Sequence, residues 1–108
     1  KERPRGLAAH AERLVDLLCY GPHRLHQIAG RGRISLGYYA DLTIVDLKAK
    51  RTIKNADQLS KSQWTPYDGM QVTGWPAMTI VNGVVAMQDG ELTYEKCGDV
   101  VRFRETLI

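Results

Sequence analysis

"GWPAMTIVNGVVAMQDGEL", residues Gly74 to Leu92, decides how the rest of the chain is read. Two apolar runs, Met78 to Val81 and Val84 to Met87, flank Asn82-Gly83. Asn and Gly tolerate the positive φ values that a two-residue hairpin turn requires, so the stretch predicts a β-hairpin. Asp89-Gly90 supplies another turn just beyond it. No residue in the stretch can carry a reaction, and the use of such a hairpin has to be found in its surroundings.

Working upstream, "QWTPYDG" (Gln63 to Gly69) is a loop. Pro66 forces an extended residue before it, and Asp68-Gly69 marks a turn. Asn55 to Ser62 has room for one or two turns of helix. "ADLTIVDL" (Ala40 to Leu47) places Leu42, Ile44 and Leu47 among β-branched neighbours, and "KRTIK" (Lys50 to Lys54) alternates more weakly. Both read as strands. Downstream, "VVRFRETLI" adds a last strand from Val100 to Phe103.

The first third has a different period. Leu7, Ala11, Leu14, Val15 and Leu18 recur at helical spacing, so Leu7 to Cys19 predicts an amphipathic helix. Gly21-Pro22 breaks it, and Pro22 opens a second short helix, "PHRLHQIA", ended by Gly30. Helices first and strands afterwards give an α+β class. With only four or five short strands, the sheet edges are uncovered, and open edges invite pairing with another chain. The segment is therefore expected to complete a sheet rather than to form a whole one.

Bulk properties bound the function. The 108 residues suffice for one domain, with 44% apolar and 25% charged residues, which is ordinary globular usage. The net charge of +3 is modest and the basic residues are scattered along the sequence. A nucleic-acid module concentrates them on one face, so no nucleic-acid partner is expected. No run of about 18 apolar residues occurs, so no membrane span is expected. Cys19 and Cys97 lack CxxC spacing, and no apolar signal segment is seen, which reads as a reduced, cytoplasmic protein with two free thiols.

The search for reactive groups finds little. His10, His23 and His26 are available, and His23 and His26 are three apart on a predicted helix, where they could share a face. No carboxylate or cysteine lies at ligand spacing beside them, and no HxH or HExxH motif exists. Cys19 has His23 four residues on, but a cysteine at the end of an apolar face is more often buried and inert. Asp41, Asp46, Asp57, Asp68 and Asp89 form no acid/base pair, and most fall at turns or strand ends, where Asp is structurally favoured. Gly30, Gly32 and Gly37 follow a helix and precede a strand, the reverse of a dinucleotide-binding order. Trp64, Tyr67 and Trp75 crowd one region, where packing is favoured over lining a pocket. From its own residues the chain offers no catalytic, cofactor-binding or metal-ligating site.

Three motifs carry a resemblance. "GRGRISLGYYADLTIVDL" resembles the G-x-I-x-x-G-x-x-A-D-L segment by which amidohydrolase-superfamily enzymes leave their barrel for a small satellite β domain. "WTPYDG" is similar to the S/T-P-F/Y-E/D-G loop of cyclic amidohydrolases. "TGWPAMTIVNGVVAMQDGEL" and the terminal "VRFRETL" look most like the C-terminal part of bacterial class I dihydroorotases. The resemblance implies the last helices of a (β/α)8 barrel over residues 1–32, followed by the C-terminal strands of the satellite β-sandwich over residues 33–108. It also implies a zinc enzyme interconverting N-carbamoyl-L-aspartate and dihydroorotate in pyrimidine biosynthesis, whose ligand motifs do not occur in this chain. No zinc is expected on this segment, and the segment alone is expected to be inactive. Its expected partners are the barrel part of its own chain and further copies of itself. The alternatives are a non-catalytic scaffold for aspartate transcarbamoylase, or another cyclic amidohydrolase such as an allantoinase or hydantoinase. "KERPRGLAAHAERL" is shorter than the family's stretch before this helix, so residues 1–14 are expected to join separate pieces of a longer chain or to follow a truncation.

Overall fold

A computed structural model describes residues 6–93 and 96–104. Of residues 1–14, where a discontinuity is expected, residues 1–5 lie outside the described residues. Three helical stretches come first: α1 (Leu7–Val15), a π-helical turn (Asp16–Tyr20) and α2 (Gly21–His26). Four strands follow: β1 (Leu42–Thr52), β2 (Gln71–Val81), β3 (Val84–Gln88) and β4 (Glu91–Leu92). They form one antiparallel sheet in the order β1-β2-β3-β4.

The expected break at Gly21-Pro22 is not there. Gly21 keeps helical angles (φ −58°, ψ −55°), and its N–H donates to the Asp16 carbonyl five residues back. A proline ring clashes with the carbonyl four residues before it, and a wider turn relieves that clash. The cost of the detour falls on Gly21, where a Cβ would stand 2.7 Å from the Asp16 oxygen. Pro22 does sit in the first turn of α2, as expected. The helix then stops earlier than Gly30, because Gln27 takes a left-handed conformation (φ 53°) at its C-cap.

The two strands expected around residues 40–54 are one. β1 pairs Leu42 with Ile80 at one end and Thr52 with Gln71 at the other. Between Asp46, opposite Trp75, and Lys50, opposite Thr73, it bulges outward. The Asp46 carboxylate holds the bulge by accepting the N–H groups of Lys48 (2.9 Å) and Ala49 (3.2 Å). Gly74 meets the bulge at φ 97°. Pro76, which has no N–H for the sheet, lies beside a second irregularity at Ile44/Val45.

The hairpin forms as the sequence requires. Val81 pairs with Val84, and Asn82 (φ 49°) and Gly83 (φ 80°) make the type I′ turn. Asp89 and Gly90 repeat the device to start β4. Asn55–Asp57 form only a short 3-10 turn, less than the helix expected there. Val100 to Phe103 give no strand; one isolated bridge joins Phe103 to Ile28. The Ala29 N–H donates to Arg102 O (2.8 Å) and the Arg104 N–H to Gln27 O (2.9 Å), so the chain end returns to the end of α2.

No hydrophobic side chain among the described residues is fully buried. Leu18, Leu25 and Leu36 are 68%, 77% and 100% exposed, and Ile44, Val45 and Leu47 on β1 are about half exposed. The accessible surface is 9419 Å², against about 6,000 Å² for a folded chain of this mass. The elements are present, but their apolar faces are uncovered.

Candidate functional site

The chemistry-bearing residues named from sequence do not converge. His10 and His26 are exposed, whereas His23 is only 4% exposed, so the two α2 histidines differ in burial. His23 stacks on Tyr20 (ring centroids 5.7 Å apart) and is covered by the loop at Gly32, where a Cβ would lie 2.5 Å from the His23 Cβ. Cys19 is exposed rather than buried among the described residues. Both cysteines are free thiols. Among the described residues, no three His, Cys, Asp or Glu side chains gather where they could hold a metal ion.

The residues that do converge form a polar knot between the loop after α2 and the hairpin tip. Arg31 pairs with Asp41 through Nη1, donates through Nη2 to Asn82 Oδ1 (3.0 Å), and sits over the Tyr39 ring, its Cζ 4.1 Å from the centroid. Asp41 Oδ1 also accepts the Asn82 N–H (2.8 Å), and the Asn82 amide donates to the Cys97 carbonyl. The Gly83 N–H reaches Ala40 O (3.0 Å). A charged pair, a turn and the C-terminal segment are thereby fixed to one another. The Arg31 and Asp41 side chains are only 13% and 31% exposed, which strengthens the pair relative to one in open water.

A second knot organises "WTPYDG". Asn55 Oδ1 accepts the Thr65 N–H (2.8 Å), and Asp68 Oδ1 accepts the Asn55 N–H (2.7 Å). Thr65 Oγ1 accepts the Tyr67 N–H (3.2 Å), while the Gly69 N–H closes the loop on Ile53 O (2.7 Å). Asn55, Thr65 and Asp68 each spend a side-chain oxygen on a backbone N–H. Trp64 and Tyr67 are 64% and 55% exposed, so the expected aromatic packing is absent; Trp75 alone of the three is half-buried. The aspartates behave as turn and strand-end residues: Asp46 holds the bulge, Asp68 the loop and Asp89 the second hairpin turn.

A model of the amidohydrolase family matches residues 6–86. This chain belongs to the amidohydrolase family. Among relatives of this amidohydrolase chain, a dihydroorotase of Methanothermobacter thermautotrophicus is 41% identical over 76 residues, covering 70% of the chain and 18% of the relative. An L-hydantoinase of Paenarthrobacter aurescens is 37% identical over 86 residues, covering 79% and 19%. Among solved structures, L-hydantoinase (dihydropyrimidinase) from Arthrobacter aurescens superposes with a TM-score of 0.75 at 34% identity, covering 84% of this chain and 21% of that one. D-hydantoinase (dihydropyrimidinase) from a Thermus species gives 0.73 at 29% identity, covering 80% and 19%. The amidohydrolase chain thus spans about a fifth of the length of the relatives it matches.

Within the matched span lie the helices, the Arg31 loop, β1, the "WTPYDG" loop, β2, the hairpin turn and the start of β3. Sequence reasoning placed these motifs but missed the knot that joins them. Its signal was present in the ADL motif, whose Asp41 precedes a strand, and in the double use of Asn82 as turn residue and amide. No helix among the described residues is long and apolar enough to cross a membrane.

Proposed function

We propose that this chain is a C-terminal structural segment of a cyclic amidohydrolase of the dihydroorotase type, which hydrolyses a cyclic amide with a metal-activated hydroxide. The observation that carries the reading is the 41% identity to a dihydroorotase across 76 residues, together with "WTPYDG" followed by "VTGWP". The described residues do not fit a zinc site, since they gather no ligand set, so no step of the reaction is assigned to them. Their proposed work is mechanical. Helices α1 and α2 lay an apolar stripe against the barrel part of the same protein, and β1 presents an open edge to strands from elsewhere in it. Residues 1–32 belong with the barrel and 33–108 with the satellite β domain, and the Arg31 knot couples the two.

A hydantoinase or dihydropyrimidinase is the second reading, favoured by the superposition on hydantoinases. A non-catalytic scaffold for aspartate transcarbamoylase is the third. Hydrolysis of dihydroorotate, hydantoin and dihydrouracil by the full-length, zinc-loaded protein separates them. Dihydroorotate is expected to be turned over fastest. Preference for hydantoin would move the assignment to the second reading, and no turnover of any of the three would support the scaffold.

A further inference from the structure

Basic residues that are scattered in sequence are gathered by the fold. Tyr20, His23, Arg24, Gln27, Arg33 and Arg104 line one cleft of about 320 Å³, and no carboxylate lines it. The volume is at the lower end for small-molecule sites.

The state of these guanidinium groups sets them apart from Arg31. Arg31 is spent on Asp41 and Asn82. Arg33, two residues later, has no acidic partner among the described residues; it lies 5.8 Å from the Tyr20 ring and 5.2 Å from the Tyr38 ring. Arg24 lies 4.6 Å over Tyr20 and donates through Nη2 to Asp16 Oδ1 at 3.4 Å, an ion pair. Arg104 is fixed through its backbone N–H to Gln27, and its side chain makes no ion pair among the described residues. A tyrosine face orients a guanidinium without consuming its N–H donors. His23 lies in the wall, buried, with Nδ1 lacking a hydrogen-bond partner among the described residues. Three cations thus share one cleft, and of the three only Arg24 has an acidic partner among the described residues, Asp16, which also pairs with Arg13.

We propose that this cleft binds a small, multiply charged oxyanion, of phosphate or polycarboxylate chemistry, through the forked donors of Arg33 and Arg104. Arginine forks match both chemistries by paired N–H···O bonds, and two such forks favour a ligand carrying two anionic groups. The inference rests on the cleft alone and does not depend on which cyclic amide the protein hydrolyses.

The test is calorimetric titration of the full-length protein with pyrophosphate and, separately, with citrate, at low and at moderate salt. Saturable binding of at least one anion is expected, and which of the two binds tells phosphate from carboxylate chemistry. The affinity is expected to fall about tenfold in Arg33→Lys and in Arg104→Lys, which keep the charge but lose the fork. Arg33→Gln and Arg104→Gln are expected to lose more. Thermal midpoints of the four variants identify any that fail to fold, and the lysine variants then carry the comparison. Absence of binding by both anions, or binding unchanged in the folded Arg33 and Arg104 variants, overturns the proposal.

Discussion

At the scale of single residues, glycine and arginine carry the argument. Gly32 (φ 91°) packs so closely on α2 that a Cβ would sit 2.5 Å from the His23 Cβ and 2.9 Å from the Cys19 carbonyl, whereas Gly37 (φ 79°) faces open space. Both positions disfavour a side chain conformationally, and only the first also does so sterically. Gly37→Ala in the full-length protein is therefore expected to cost about 1 kcal/mol and Gly32→Ala clearly more, roughly 2–4 kcal/mol. Thermal denaturation of the two variants checks the ranking, and equal effects would count against the described packing. Asp41 serves Arg31 and the Asn82 N–H together. Asp41→Ala leaves a half-buried guanidinium unpaired and should lose about 1–3 kcal/mol. Adding Arg31→Met should cost less than the sum of the two single changes, because the charge left behind is then gone. Additivity in that double-mutant cycle would show that the pair is not coupled.

At the scale of elements, the hairpin and the helices differ in how openly the sequence declares them. Asn82-Gly83 and Asp89-Gly90 name their turn type because left-handed φ values select so few residues, and both turns form as read. Asn82 also ties the turn to Arg31 and Cys97, a role that the dipeptide rule does not contain. Asn82→Gly keeps the turn and removes the ties, so it should destabilise by about 1–2 kcal/mol, while Gly83→Val strains the turn itself and should cost about 1–3 kcal/mol. Hydrogen exchange across residues 78–88 distinguishes them: Gly83→Val should open the β2–β3 amides, and Asn82→Gly should leave them protected. The errors have local causes. Gly21-Pro22 looked like a stop because a π turn has no sequence rule of its own. β1 looked like two strands because Leu47 to Ala49 interrupt its alternation, where the Asp46 carboxylate holds a bulge. Val100 to Phe103 looked like a strand from composition, but their partner is the irregular end of α2. The convergence of Arg24, Arg33 and Arg104 was invisible for the same reason: it depends on the chain end returning to Gln27, and no local pattern encodes that return.

At the scale of the whole molecule, the decisive quantity is uncovered apolar surface. A radius of gyration of 16.6 Å exceeds the roughly 13 Å of a compact chain this long. The described residues bury no hydrophobic side chain fully, although 44% of the sequence is apolar. Without a core, the favourable transfer of apolar surface from water is too small to offset the entropy of ordering the chain. The helical stripe and the edge of β1 are then sites for association. The proposed role as a segment that packs against the rest of a larger amidohydrolase accounts for this uncovered surface, and the hairpin's ties to Arg31 and the Cys97 carbonyl anchor a returning chain. The isolated 108-residue chain, examined by size-exclusion chromatography with light scattering and by urea titration of its tryptophan fluorescence, tests this most directly. The account predicts oligomers or an expanded chain with no sharp unfolding transition; a compact monomer that unfolds in a single cooperative step would contradict it.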